Sequence, residues 1–255
     1  MTNSDQTSPS TNFISGRRAV VEALKGNRLI EKILFLYGTA GSSLVQIRHL
    51  ARERGVLCVE VRKEKMFELA GDMKTQGVIA IVGTKAYVDV DDILEIARER
   101  GEQAFLLVLD EIEDPQNLGA LLRTSECAGV HGVIIPKHHA SGVTSAVSRA
   151  SAGASEYVPV AKVTNLASCL DDLKEQGVWI VGTASDTDRS YTELDASMPL
   201  AIVIGSEGKG MRKLVREKCD FLVKIPLYGK IESLNASVAG ALLMYEVMRK
   251  RRKLT

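Results

Sequence analysis

Six short apolar runs separated by helical or glycine-rich segments fill the chain from residue 105 to residue 225, and this alternation constrains its fold more than any other feature. The run FLLVL at Phe105–Leu109 is apolar throughout, which suits a strand buried on both faces of a parallel sheet. Further strands are predicted at 132–136, 157–160, 178–183, 200–204 and 221–225. Helical periodicity predicts helices at 117–128, 144–150, 166–176 and 211–218, and a last one from 233 to about 251. Strand and helix in alternation imply an α/β domain with a mostly parallel sheet and helices on both faces. Ligands of such sheets bind beyond the carboxyl ends of the strands. Motifs that begin where a strand stops are therefore the ones to examine.

The first third reads as a smaller α/β unit. Ala19, Val20, Ala23 and Leu24 recur at helical spacing in a helix expected over 14–24. A strand at 30–37, a helix at 43–54 closed by Gly55, a strand at 56–61, a helix at 63–70 and a strand at 77–82 follow. The expected organisation is a disordered tail at 1–12, a small unit at 13–83, a linker and lead-in helix at 84–103, and a larger domain at 104–255. The tail MTNSDQTSPSTN has no apolar core and does not read as a signal peptide.

Charge gives little away. The 33 basic and 32 acidic side chains leave a net +1, so a nucleic-acid surface must come from local clustering. Candidate clusters are Arg17 with Arg18; Arg48, Arg52 and Arg54; Arg62, Lys63 and Lys65; and the basic run at 249–253. Each is more often a solvated face than a binding site. Cys58, Cys127, Cys169 and Cys219 form no CxxC pair, which fits reduced thiols in a cytoplasmic protein and no metal site. His49, His131, His138 and His139 show no ligand spacing, and no apolar run reaches membrane-spanning length.

Three segments follow strand ends. DEIEDPQNLGALLRT begins at Asp110; Asp114 is a plausible N-cap with Pro115 at the first helical position. Gly119, Arg123 and Glu126 share a second face of that helix, where Gly119 would admit a close neighbour beside Arg123. Taken alone, the segment is more readily a solvated helix on which Arg123 pairs with Glu126. VIGSEGKGMR is a glycine-rich turn, neither a P-loop nor a dinucleotide fingerprint. Glu207 within it would repel phosphates, so a phosphate-poor ligand suits it; a plain β-to-α turn explains it as well. IPLYGKIESLNAS leads into the last helix, with Ser233 a plausible N-cap. Leu234, Val238, Leu242 and Tyr245 form an apolar stripe there, and Ala236, Ala239 and Gly240 are among the small residues that allow close packing. A C-terminal helix docked on the core is the plain alternative.

Together and in this order, the three segments resemble the SpoU class of RNA 2′-O-ribose methyltransferases in the SPOUT superfamily, over roughly residues 104–250. More weakly, GRRAVVEAL and QGVIA resemble the L30e-like RNA-binding domain of the class's ribosomal-RNA branch. That branch often has histidine where this chain has Thr75. The resemblance implies a trefoil knot, a homodimer, and S-adenosylmethionine as methyl donor. It places Gly205, Ile225, Leu234 and Thr183 at the donor and Asn117, Arg123, Glu207, Ser233 and Asn235 in the polar active site. It implies a ribosomal RNA substrate, a guanosine of 23S rRNA, with transfer RNA as the alternative target. A non-catalytic RNA-binding protein of the same fold is a further alternative, and an oxidoreductase is disfavoured by the missing fingerprint. The family sets Arg123 at the ribose hydroxyl. A guanidinium stays protonated above pH ~12, so it either orients the hydroxyl or has a strongly depressed pKa, at about 1.4 kcal/mol per unit; orientation is favoured. On that expectation Glu207 and Asn117 hold the guanidinium and the ribose, and Ser233 and Asn235 meet an RNA phosphate.

Overall fold

The structure, a computed structural model, describes residues 13–26, 29–83 and 86–252. The expected tail at 1–12, part of the expected linker (84 and 85) and Lys253 lie outside these residues. Two compact units are present. The first comprises the residues up to Ala86 with Gly142–Ser148, and the second Tyr87–Ser141 with the chain from Arg149 onward.

In the first unit the order is β1 (Phe13–Ser15), α1 (Arg17–Lys25), β2 (Ile30–Leu36), α2 (Ser42–Glu53), β3 (Leu57–Val61), α3 (Lys63–Ala70) and β4 (Val78–Val82). The strands lie in the order β1-β4-β2-β3. β2 and β3 run parallel, and β4 runs antiparallel to both β2 and β1. Successive strand side chains point to opposite faces. Accordingly Ile33 and Phe35 pack with Val20, Leu44 and Ile47 of α1 and α2, while Leu34 meets Met66 of α3. The helix expected from residue 14 starts only at Arg17, because Phe13–Ser15 pairs with Ile79–Ile81 as an edge strand instead.

The second unit contains α4 (Val90–Glu99), β5 (Phe105–Leu109), α5 (Pro115–Ala128), β6 (Gly132–Pro136), β7 (Val160–Val163), α7 (Leu166–Glu175), β8 (Trp179–Thr183), β9 (Leu200–Ile204), α8 (Lys213–Glu217), β10 (Phe221–Val223) and α9 (Ala236–Arg251); α6 (Ser145–Ala150) follows β6 in the chain. All five pairings of its six-stranded sheet are parallel, in the order β10-β8-β9-β5-β6-β7. Leu106 and Val108 of β5, with Ala201 and Val203 of β9, pack against α4, α7 and α8. The intervening positions face the other side, where Gly240 of α9 lies against Leu121 of α5 and Ile204 of β9. A Cβ on Gly240 would come within 2.4 Å of the Leu121 Cδ2 methyl, so the two helices pack closely there and a larger residue would have to displace that side chain.

Several boundaries differ from expectation, and three bear on the site or its neighbours. β7 begins at Val160 rather than 157, since Ala154–Glu156 form a 3-10 turn that leaves Tyr157 exposed. β10 ends at Val223. α9 starts at Ala236 with Asn235, not Ser233, as its N-cap, because Asn235 Oδ1 accepts from the Ser237 and Val238 amides. The rotation of α9 also differs from the docked stripe. Val238, Leu242 and Tyr245 face solvent, whereas Gly240, Leu243, Met244 and Val247 face the core.

β5 and β9 are neighbours from which the chain leaves in opposite directions along the sheet, toward β6 and toward β10. A crevice beyond their carboxyl ends is where an open α/β sheet binds its ligand.

Candidate active site

A cavity of about 280 Å³ opens at the carboxyl ends of β8, β9 and β10. Thr183, Gly205, Ile225 and Leu234, drawn from four separate segments, all line it, together with Met211 and Glu207. Gly205 explains how the turn after β9 folds back on its own start. A Cβ there would lie 2.2 Å from the Gly210 carbonyl carbon and 2.3 Å from the Met211 nitrogen, so the glycine-rich turn folds directly over it. Asp186, Glu207 and Glu232 are the acidic members of the lining and Lys209 and Arg216 the basic ones, with Arg216 committed to Asp186; Ile204, Met211, Val223, Ile225 and Leu234 supply an apolar wall. Three carboxylates against two cations, beside that wall, admit a cationic ligand with an apolar portion, as S-adenosylmethionine is. Asp186 is held below the usual carboxylate range, chiefly by a hydrogen bond from Arg216 at 2.9 Å. Two larger cavities, of about 740 and 660 Å³, lie away from these strand ends.

One carboxylate oxygen ties the three segments together. Glu207 Oε1 accepts from Asn117 Nδ2 at 2.9 Å, from Asn235 Nδ2 at 2.5 Å and from the Ala236 amide at 3.3 Å. Asn235 also donates to Asn117 Oδ1 at 2.9 Å. Asn117 comes from the first turn of α5, where Asp114 accepts from the Gln116 amide and Pro115 sets the helix start. Asn235 is locked in place as the cap of α9.

The other polar residues are placed differently from expectation. Arg123 is exposed on α5, and its side chain makes no hydrogen bond or ion pair among the described residues, with neither Glu126 nor Glu207. Gly119, one turn before Arg123 in α5, is buried, and a Cβ there would strike Ala150 at 2.4 Å, so the close neighbour it admits is protein. Ser233 lies on the cavity wall, before α9 begins. Asn235 has both amide atoms committed to protein partners, which leaves it no free group for a phosphate.

Sequence reasoning missed Asp110 and Arg212. Asp110 is wholly buried at the end of β5, and its carboxylate accepts from the Arg212 backbone N–H and from Nε, each at 2.7 Å. A lone acid closing the FLLVL run was the available signal. The C-terminal basic run is mostly structural: Arg251 donates to the carbonyls of Gln103, Ala104, Ala196 and Met198, Lys250 to those of Thr192 and Leu194, and Arg249 to Glu246. Thr75 serves a turn, accepting from the Gly77 amide. Among the described residues, no group of acidic, His and Cys side chains could hold a metal ion, and no helix is long and apolar enough to cross a membrane.

Residues 104–245 match the SpoU rRNA Methylase family. The chain belongs to that family. Residues 13–88 match its RNA 2′-O ribose methyltransferase substrate-binding domain. Among SpoU relatives, YacO of Bacillus subtilis, assigned to the TrmH family of tRNA/rRNA methyltransferases, is 47% identical over 94% of this chain and 96% of its own. A TrmH-family relative from Staphylococcus haemolyticus is 45% identical over 93% of this chain and 95% of its own. The SpoU methyltransferase AviRb from Streptomyces viridochromogenes, solved with its cofactor AdoMet, shares the fold at TM-score 0.60 and 23% identity, over 98% of this chain and 95% of its own. A solved RNA 2′-O ribose methyltransferase gives TM-score 0.54 at 27% identity, over 94% and 88%. The chain is therefore an enzyme of the SpoU methyltransferase class.

Proposed function

We propose that this SpoU enzyme methylates a ribose 2′-hydroxyl of structured RNA, a guanosine of 23S ribosomal RNA, from S-adenosylmethionine bound in the 280 Å³ cavity. The observation that carries the reading is the single Glu207 carboxylate that gathers Asn117 and Asn235 at that cavity, bringing all three motifs into one site. Thr183, Gly205, Ile225 and Leu234 would hold the donor, whose sulfonium supplies an activated methyl group. Glu207, Asn117 and Asn235 fix the turn and the ends of α5 and α9, so their role is positioning, which alone can contribute several kcal/mol. Arg123, whose side chain has no partner among the described residues, would orient the ribose hydroxyl and a neighbouring phosphate. As a permanent cation it is no base, so the proton leaves late, to water. Ser233 completes the wall.

A cytoplasmic RNA substrate is consistent with four unpaired cysteines. Transfer RNA stays as the second target, because the TrmH relatives carry both RNAs in their names. The trefoil knot belongs to the same reading; its support is membership of the SpoU family. So does a homodimer: Val238, Leu242 and Tyr245 leave an apolar stripe on α9 for a second copy to cover. Residues 13–83 would be the substrate domain. Tritium transfer from labelled donor to RNA, followed by mapping of 2′-O-methyl sites in rRNA and tRNA from a strain lacking the protein, tests the reading. No methyl transfer to any RNA overturns it. A site confined to tRNA moves the target to the second reading.

A further inference from the structure

The first unit collects its uncommitted positive charge at one end of its sheet. Ser15 of β1 lies opposite Ile79, Phe35 of β2 opposite Val78, and Leu36 opposite Val61 of β3. The exits of β1, β2 and β3 and the entry of β4 therefore share that end. Arg18 follows β1, Tyr37 follows β2, Arg62 and Lys63 follow β3, and Lys74 precedes β4. All four cations are exposed, and their side chains make no hydrogen bond or ion pair among the described residues.

The other cations of the unit are mostly committed. Lys25 pairs with Glu22, Arg48 with Glu60 and Lys65 with Glu68. Arg54 binds the carbonyls of Ala23, Leu24 and Gly26 at the opposite end, and Arg17 braces the turn through the Gln76 carbonyl. Arg52, in the last turn of α2 away from this end, is uncommitted and serves as a control. Glu64 and Asp72 are the unpaired acids on the segments concerned, so with Arg17 the balance is five cations to two carboxylates. In their midst Tyr37 is 74% exposed.

We propose that this end of the first unit grips the RNA, with Tyr37 stacking on an unpaired base while Arg18, Arg62, Lys63 and Lys74 neutralise the flanking phosphates. The inference rests on structured RNA being the substrate. An aromatic platform among unpaired cations suits a single-stranded loop or bulge, where bases are free to stack. An acidic protein would use the charges but gain little from a stacking ring.

The test uses the full chain, with 23S rRNA transcript and bulk tRNA as probes in filter binding across a salt series. S-adenosylhomocysteine titration serves as a separate donor-site readout. Tyr37→Ala should weaken RNA binding about 5- to 150-fold while Tyr37→Phe stays near wild type. The triple variant Arg18→Gln, Arg62→Gln, Lys74→Gln should flatten the log–log salt slope by about 2 to 3. Arg52→Gln should change neither, and S-adenosylhomocysteine binding should be constant throughout. Full RNA affinity in both test variants overturns the inference, even if methyl transfer upholds the function. No RNA binding by the wild type overturns it too, as does heparin binding that competes with RNA and ignores Tyr37→Ala. RNA binding that these side chains control, without methyl transfer, upholds the inference and sinks the functional reading.

Discussion

Asp110 holds Arg212 across the top of the sheet, with a buried carboxylate at one end and a guanidinium 41% exposed at the other. The Asp110 amide donates to the Ile204 carbonyl, so the same residue fixes the exits of β5 and β9. Arg212 follows Met211, which lines the cavity proposed for the donor, so the clasp sets the position of one cavity wall. Arg212→Ala removes the guanidinium and leaves the carboxylate with the backbone donor alone. It should lower stability by about 2–3 kcal/mol in urea unfolding, below the full cost of an orphaned buried charge. It should also raise KM for the donor while leaving KM for RNA unchanged. An unchanged donor KM would mean the clasp serves folding only.

The Glu207–Asn235 pair should be energetically coupled. Asn235→Ala removes the α9 cap, which costs about 1 kcal/mol by itself, and frees Glu207 of a partner. Residues in one hydrogen-bond network show interaction energies of about 0.5–3 kcal/mol. A double-mutant cycle of Asn235→Ala with Glu207→Ala, read by urea unfolding, should fall in that range. Additivity within error would show that the network does not act as a unit.

Two glycines of the same turn should respond unequally. Gly205→Ala drives a methyl into the Gly210 and Met211 backbone, which has no flexible side-chain end to yield. Donor affinity, followed by calorimetry, should fall at least about tenfold, the equivalent of about 1.4 kcal/mol. At Gly208 a Cβ meets nothing within 4 Å, and the cost is the strain of φ +79 alone. Gly208→Ala should bind donor within about threefold of wild type. Equal losses would place the defect in turn flexibility instead.

The thiols should divide by burial. Desolvation, helped by Asp172, pushes Cys169 up to about 11, and desolvation with Asp220 pushes Cys219 up to about 12. Cys127 is exposed. Since the thiolate is the reacting species, a disulfide reagent at pH 8 should modify Cys127 quickly and reach Cys169 and Cys219 only in denaturant. Rapid modification of all four thiols in the folded protein would contradict this division.

The buried strands were legible because FLLVL, GVIIP and LAIVI are bounded apolar runs, and β5, β6 and β9 occupy those residues. Boundaries failed where a local device overrode periodicity, as at Asn235, whose amide caps the helix two residues after Ser233. The rotation of α9 was illegible for a different reason. Its large apolar side chains fall on two faces, Val238, Leu242 and Tyr245 on one and Leu243, Met244 and Val247 on the other, and the close approach of α5 at Gly240 goes with the second face. Charge was the least legible property. Arg54 and Arg251 look like binding candidates in sequence, yet they spend their donors on backbone carbonyls brought from far along the chain. Arg18 and Arg62 read the same in sequence and stand free. Only the topology of the sheet tells these pairs apart.

His131 should make stability depend on pH. Its ring is 1% exposed; Nδ1 accepts from the Phe105 amide at 3.0 Å, which leaves the proton on Nε2, 3.0 Å from Glu102. Burial lowers its pKa, and the hydrogen bond to Glu102 opposes the shift only in part. The unfolded histidine titrates near 6.5, so as pH falls the unfolded chain takes up the proton first. The native state therefore keeps its full advantage above about pH 6.5 and loses it as pH drops toward the lowered folded value, by at most about 1.4 kcal/mol per pH unit. In His131→Asn the amide oxygen can still accept from Phe105, but nothing titrates. Urea unfolding at pH 7.5 and 5.5 should show a larger loss for wild type than for His131→Asn. Equal losses in the two proteins would assign the pH dependence to other groups.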